Sequence, residues 1–226
     1  MQPTEPHSAV PWTLSRQIRE FQEQLARQLP KELHARLSAA IEGLIESQPA
    51  AAALRGRHQA PDFTLRDVSG RPFTLSQEMR GGPVVLTFYR GSWCPYCDLQ
   101  LRAYSRMIPD LARFGAHLIA ISPQRPEAEV ANASEHRALG FPILFDPANE
   151  VARRYGLIYS VGASMRAVFD SFGLDLAAVN GVERWELPVP ATYIVANDGR
   201  IRWSHVEVDY RLRAEPAEIL QALGGL

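Results

Sequence analysis

No surplus of charge, no long apolar run and almost no cysteine mark this 226-residue sequence. Lys and Arg number 24 against 25 Asp and Glu, a formal charge of -1. That balance offers no basic surface to neutralise a phosphate backbone or an anionic bilayer, so neither nucleic acid nor membrane is an expected partner. Lysine is reduced to Lys31 alone, a bias to which no function attaches. No apolar stretch approaches the ~20 residues that span a bilayer, and the opening MQPTEPHSAVPWTLSRQ lacks a basic segment followed by an apolar one. A cytoplasmic location is expected. Two cysteines cannot staple a chain of this length into a disulfide scaffold. A zinc site would need two further ligands, and His7, His34, His58, His117, His136 and His205 include no close pair. Asp98 stands where haem attachment would require histidine. The Ser and Asp residues show neither a nucleophile elbow nor a paired-carboxylate context, which leaves hydrolysis little support.

What is present is a globular composition, 46% hydrophobic, in a chain long enough to bury a full core. Leu14, Ile18, Phe21 and Leu25, then Leu33, Leu37, Ile41 and Leu44, form two helical stripes on either side of Pro30. They predict a helical hairpin over residues 13–48 that covers its apolar faces against its own chain or a second subunit. Gln48 to Ala60 is poor in large apolar residues and reads as a linker. The segment DFTLRDVSGRPFTL then predicts a β-hairpin around Val68-Ser69-Gly70.

Strands and helices alternate from there. PVVLTFY (Pro83 to Tyr89) and AHLIAIS (Ala116 to Ser122) are continuous apolar runs of the kind found in central strands covered on both faces. A helix is expected from Pro95 to Phe114, another from Pro126 to Leu139, and a short strand at Phe141 to Phe145. ATYIVANDGRIRWSHV reads as two strands around Asn197-Asp198-Gly199, and a helix from Ala214 to Leu223 closes the chain. This order predicts an α/β fold with a mixed central sheet. Residues 157–187 are too long for an ordinary connection and mark an insertion, with a helix suggested by Met165, Val168, Phe169 and Phe172.

The two cysteines stand at Cys94 and Cys97 in FYRGSWCPYCDLQL, at the passage from a buried strand to a helix. Free helix N–H groups and the positive end of the helix dipole stabilise a thiolate there. Pro95 suits the first helical position, which puts Cys94 at the cap and Cys97 one turn on, within disulfide reach. So small a loop gains little stability from a bridge, and the pair reads as redox chemistry.

With VVLTFYRGSWCPYC, the entry APDFTLRDVSGRPFTLS, FPILFDP and ATYIVANDGRIRW in view, the chain resembles the peroxiredoxins, the alkyl hydroperoxide reductase and thiol-specific antioxidant family. The resemblance implies a thioredoxin-like fold over 59–226, with 1–58 as a helical extension and linker. Laid on the family signature PxxxTxxC, Cys97 is the peroxidatic cysteine and Cys94 its resolving partner, with Arg90 in place of the Pro and Cys94 in place of the Thr. Helix geometry alone favours an exposed Cys94 as the nucleophile instead. The family register is adopted for peroxide, and both are catalytic candidates.

Arg90 is the candidate cation beside the thiolate, and Trp93 a candidate shield. Pro190, where relatives carry an Arg before the late strand, resembles the cis-proline of thioredoxins. The implied activity is reduction of hydrogen peroxide or organic hydroperoxides, with thioredoxin or a similar dithiol restoring the thiols. No metal, flavin or nucleotide is implied, and a homodimer through the hairpin is expected. The alternatives are a disulfide oxidoreductase acting on proteins and a redox-sensing interaction module. His205, Glu207, Asp209 and Tyr210 form a polar cluster read as surface, and His136 is read as a helix-face residue.

Overall fold

The structure, a computed structural model, describes residues 13–129 and 138–226. Its centre is a seven-stranded mixed sheet in the order β2-β1-β5-β4-β3-β8-β9. The strands are β1 (Thr64–Asp67), β2 (Pro72–Thr74), β3 (Val84–Phe88), β4 (His117–Ser122), β5 (Ile143–Phe145), β8 (Ala191–Val195) and β9 (Ile201–Val206). A separate two-stranded ribbon pairs β6 (Ile158–Ser160) with β7 (Glu186–Pro188). The apolar runs of β3 and β8 are buried at every position. β3 pairs with β4 in parallel and with β8 antiparallel, which accounts for all of its backbone groups within the core.

Helices pack around the sheet: α1 (Leu14–Gln28), α2 (Lys31–Glu46), α3 (Leu75–Glu78), α4 (Pro95–Arg106), α5 (Ile108–Ala112), α6 (Pro126–Glu129), α7 (Glu150–Arg154), α8 (Ala163–Ser171), α9 (Leu176–Asn180) and α10 (Pro216–Leu223). The helix expected over Pro95 to Phe114 is two, broken at Met107. Pro109 is the reason, because it has no N–H for the Ser105 carbonyl, while the Ser105 hydroxyl donates to Leu139 O at 2.7 Å. Of the helix expected over Pro126 to Leu139, only Pro126–Glu129 is seen, with a turn at 138–140. The stretch between them, including His136, lies outside the described residues, as do residues 1–12.

The hairpin at Val68-Ser69-Gly70 forms with Thr64 opposite Thr74, and the one at Asn197-Asp198-Gly199 joins β8 to β9. Residues 157–187 hold β6, α8, α9 and the start of β7. Met165, Val168 and Phe169 are buried on α8 as expected, whereas Phe172 ends the helix half exposed.

Both N-terminal stripes pack in part on this chain's own helices, α1 against α4 and α2 against α8. Leu14, Ile18 and Ile41 are buried. The start of α1 is held by a distant carboxylate: Leu14 N–H and Ser15 N–H donate to Glu215 at 3.0 and 2.7 Å. The stretch expected as a linker is bound to the α/β core by Leu54 N–H to Tyr155 O, Arg57 N–H to Ile201 O and Ala60 N–H to Gly199 O. No helix among the described residues is long and apolar enough to cross a membrane.

Candidate active site

The β3 strand ends at Phe88 and the chain turns through Tyr89 to Trp93 into α4. Gly91 makes that turn possible: its φ is +143°, and a Cβ would collide with Trp93 Nε1 and lie 2.7 Å from Gln124 Oε1. Gln124 braces the same turn, its Oε1 accepting from Ser92 N–H at 2.8 Å. Cys94 is the N-cap of α4 and Pro95 its first residue, as expected. Cys97 follows in the first turn, its N–H donating to Cys94 O at 2.9 Å.

Both cysteines are free thiols, and both are buried, Cys94 at 1% and Cys97 at 0% exposure. Cys94 is therefore not exposed as helix geometry led one to expect. It does border a cavity of about 360 Å³, and Cys97 lies off that cavity's wall.

Two arginines face the pair, one in contact with each sulfur. Arg90, 2% exposed, reaches Cys94 Sγ with Nη1 at 3.7 Å. Its guanidinium lies over Tyr210 at 3.9 Å and over Trp93 at 4.8 Å, cation–π contacts that offset part of its desolvation. Its Nε and Nη2 have no hydrogen-bond partner. Arg213, also buried, donates to Cys97 Sγ from Nη2 at 3.4 Å, to Tyr210 O from Nε at 2.8 Å and to Gln100 Oε1 from Nη1. Gln100 in turn donates to Thr87 and Thr192 on the central strands.

This frame decides where the charge sits. Burial opposes ionisation of either thiol, but Cys97 accepts a hydrogen bond from Cys94 and faces Arg213 and Arg90, and its pKa falls well below the ordinary thiol range. Burial and the neighbouring Cys97 push the Cys94 thiol well up. The two thiols titrate as a pair, with negative charge favoured on Cys97 over Cys94.

Arg90, Trp93, Cys94 and Cys97 are brought together. Trp93 packs edge-on against Phe169 at 5.4 Å, and its Nε1 lacks a partner. Pro190 is buried beside Ala191, which pairs with Phe88, so it stands at the cysteine end of the sheet. No peptide bond among the described residues is cis, so the Pro190 bond is trans and that likeness to thioredoxins does not hold.

Sequence reasoning missed Arg213 and Gln100. It also placed Tyr210 on the surface, where the structure buries it against Arg90. Its place after the alternating HVEVD run hid this, and a chain rich in arginine gives no signal that singles out position 213. Among the described residues no group of three or more His, Cys, Asp or Glu is arranged to hold a metal.

The AhpC/TSA family profile matches residues 57–204. The chain is 34% identical over 139 residues to a peroxiredoxin of Thermoplasma volcanium, covering 59% of this chain and 64% of that protein. It is 33% identical over 98 residues to the thiol-disulfide oxidoreductase ResA of Geobacillus thermodenitrificans, covering 43% and 55%. The chain thus spans from about half to just under two-thirds of the length of these curated relatives. Among solved structures, peroxidoxin BcpB from Mycobacterium tuberculosis superposes with a TM-score of 0.58 at 21% identity, over 76% of this chain and 98% of that one. AhpC from the same organism gives 0.57 at 17%, over 76% and 93%. These likenesses show a shared thioredoxin-like fold.

Proposed function

Starting from the fact that this chain belongs to the AhpC/TSA family, we propose that it is a thiol-dependent peroxidase working through a Cys94/Cys97 sulfenate and disulfide cycle. The observation that carries the reading is the free thiol pair at a helix N-terminus, each sulfur in contact with a buried arginine, with Cys94 bordering a cavity. Geometry ranks ahead of pKa in choosing the attacking group. Cys94 meets the peroxide, and Cys97 takes its proton as it attacks. This reverses the roles that the family signature suggests.

The Cys94 sulfur attacks the distal oxygen of ROOH, the O–O bond breaks, and RO⁻ leaves and is protonated to ROH. Cys97 then attacks the sulfenic sulfur, forming the S–S bond and releasing the oxygen as water. Two thiols are oxidised and one peroxide is reduced. Thioredoxin or a similar dithiol returns the two electrons, a supply found in a reducing, cytoplasmic setting. Residues 59–226 form the catalytic unit with 157–187 inserted, and 1–58 are its extension. A homodimer through the hairpin remains part of this reading, since α4 and α8 of the same chain pack on only part of its stripes.

Stopped-flow peroxide reduction by the pre-reduced protein tests the reading. Cys94→Ser should abolish it, and Cys97→Ser should react once and accumulate a dimedone-trappable sulfenic acid. The opposite pattern would restore Cys97 as the attacking sulfur. No peroxide reduction by the wild type, together with turnover of insulin disulfides, would favour the second reading, a protein disulfide oxidoreductase. That reading is supported by the likeness to ResA and by the Cys-x-x-Cys at the helix cap.

A further inference from the structure

The stretch 207–215, between β9 and α10, is neither helix nor strand, yet it carries the arginine that bears on Cys97. With no ladder of backbone hydrogen bonds to fix it, the aim of Arg213 depends on what grips this stretch from outside. One grip comes from α4, where the Tyr104 hydroxyl donates to Ala214 O at 3.1 Å. The other comes from α1. Leu14 N–H and Ser15 N–H, which have no partner in their own helix, donate to the Glu215 carboxylate at 3.0 and 2.7 Å. The same helix bears on the stretch a second time, since Phe21 meets Tyr96 at 5.2 Å and Tyr96 meets Tyr210 at 5.8 Å.

A helix start can be capped by a residue close at hand, and Thr13 already accepts from Arg16 N–H at 3.3 Å. The carboxylate on Leu14 and Ser15 comes instead from the far end of the chain, next but one to Arg213. Leu14 is wholly buried, so α1 starts from a firm anchor. Glu215 is also the N-cap of α10, its N–H donating to Glu218 at 3.0 Å. Both α1 and the 207–215 stretch lie outside the span that matches the family, 57–204. The tie between them is thus an addition to the family core made by the two ends of this chain.

Resting on the Cys94/Cys97 cycle of the peroxidase reading above, we propose that Glu215 is a positioning residue for that cycle: by tying the first turn of α1 to the 207–215 stretch, it holds Arg213 against Cys97 Sγ. Glu215 touches neither sulfur and acts through Arg213. The charge on Cys97 both takes the Cys94 proton and attacks the sulfenic sulfur, so a loosened Arg213 weakens both steps. The α1 helix therefore takes part in setting the thiol chemistry, a role beyond the shielding expected of residues 13–48.

Two substitutions separate the tie from the charge that makes it. Glu215→Asp keeps the charge and suits the start of α10, but it draws the oxygens back by about 1.5 Å, out of reach of Leu14 and Ser15 N–H. Glu215→Gln keeps the reach and one acceptor oxygen while removing the charge. Thiolate absorbance of the reduced full-length protein is titrated in each, beside thermal unfolding. The groups that face Cys97, namely Cys94, Arg213 and Arg90, are present in both variants. Glu215→Asp should move the lower thiol midpoint up by about 1 pH unit, the low end of the ~1–3 units that an opposite charge supplies. Glu215→Gln should stay nearer to wild type. If Glu215 acts through its own field, the pattern reverses: loss of an anion makes the thiol more acidic in Glu215→Gln and leaves Glu215→Asp unmoved. That reversal would overturn the proposal, as would a lowered melting temperature with both midpoints unmoved, which would make Glu215 a helix cap and nothing more. The titration uses no peroxide, so its result stands apart from the peroxidase reading. The expected shifts in a protein that consumes no peroxide would leave the tie in place and remove the peroxidase.

Discussion

The two sides of the thiol pair are built on opposite principles, although each presents a buried arginine. On the inner side every group of Arg213 is engaged, by Gln100, by the Tyr210 carbonyl and by Cys97, and Gln100 is itself fixed to Thr87 and Thr192 in the sheet. On the other side Arg90 makes one long contact to Cys94, and its Nε and Nη2 are buried without a hydrogen-bond partner. The satisfied arginine sets the charge of a sulfur before any substrate arrives. The other is held beside Cys94 by the rings of Trp93 and Tyr210, next to the sulfur that meets the peroxide. Identical residue types thus divide into a group that positions charge and a group that receives it.

Arg90→Met should break the outer side with the largest effect. Removing one preorganised donor to a developing oxyanion costs about 10²–10³ in rate, so the second-order constant for peroxide should fall by that order in stopped flow. Raising the pH should not recover it, because Arg213 still holds the Cys97 thiolate. Recovery at high pH would mean that Arg90 acts only on thiol ionisation.

Arg213→Met attacks the inner side and should behave differently. Loss of an opposite charge moves a neighbouring thiol up by about 1–3 pKa units, which thiolate absorbance near 240 nm reads directly. The rate at neutral pH should drop about tenfold and return as the pH is raised.

The wild type carries a stability signature of the same frame. Cys97 has a depressed folded pKa, so its contribution is complete above the unfolded thiol value of ~8.5 and is lost as pH falls through the folded value. Cys94 has a raised folded pKa, so its contribution is complete below ~8.5 and is lost as pH rises through the folded value. Thermal stability of the reduced protein should therefore peak near pH ~8.5. In Arg213→Met the acid limb of that peak should flatten.

The two sides were not equally legible in the sequence. The Cys-x-x-Cys spacing, Pro95 at the helix start and Arg90 four residues before Cys94 are local, and local pattern reading finds them. β3 and β4 are legible for a related reason, since a strand buried on both faces must be apolar throughout. Arg213 reaches Cys97 across 116 residues through the path of β8 and β9, and no periodicity encodes that. The stripes of α1 and α2 announced that they must be covered, whereas their cover, α4 and α8, is a matter of tertiary packing. Tyr210 was misplaced because Glu207 and Asp209 beside it suggest solvent, while the chain after β9 turns its ring inward.

The smallest expected effect sharpens the comparison most economically. Asp98 adjoins Cys97 in sequence, in the first turn of α4, and carries a full negative charge in solvent with Arg102 as its i+4 partner at 2.9 Å. Its side chain is 44% exposed and that of Arg102 49%, so water and salt screen the charge. If the general field at the helix end set the thiol chemistry, Asp98→Asn would help the thiolate by removing a neighbouring negative charge. If the two buried arginines set it, the substitution should leave the 240 nm titration and the peroxide rate nearly unmoved. The cost should be confined to the lost exposed ion pair and a weakened interaction with the helix dipole, about 0.5–1 kcal/mol in chemical denaturation. A thiolate titration that moves as far in Asp98→Asn as in Arg213→Met would show that proximity along the helix outranks burial, and the contrast between the two arginines would lose its basis.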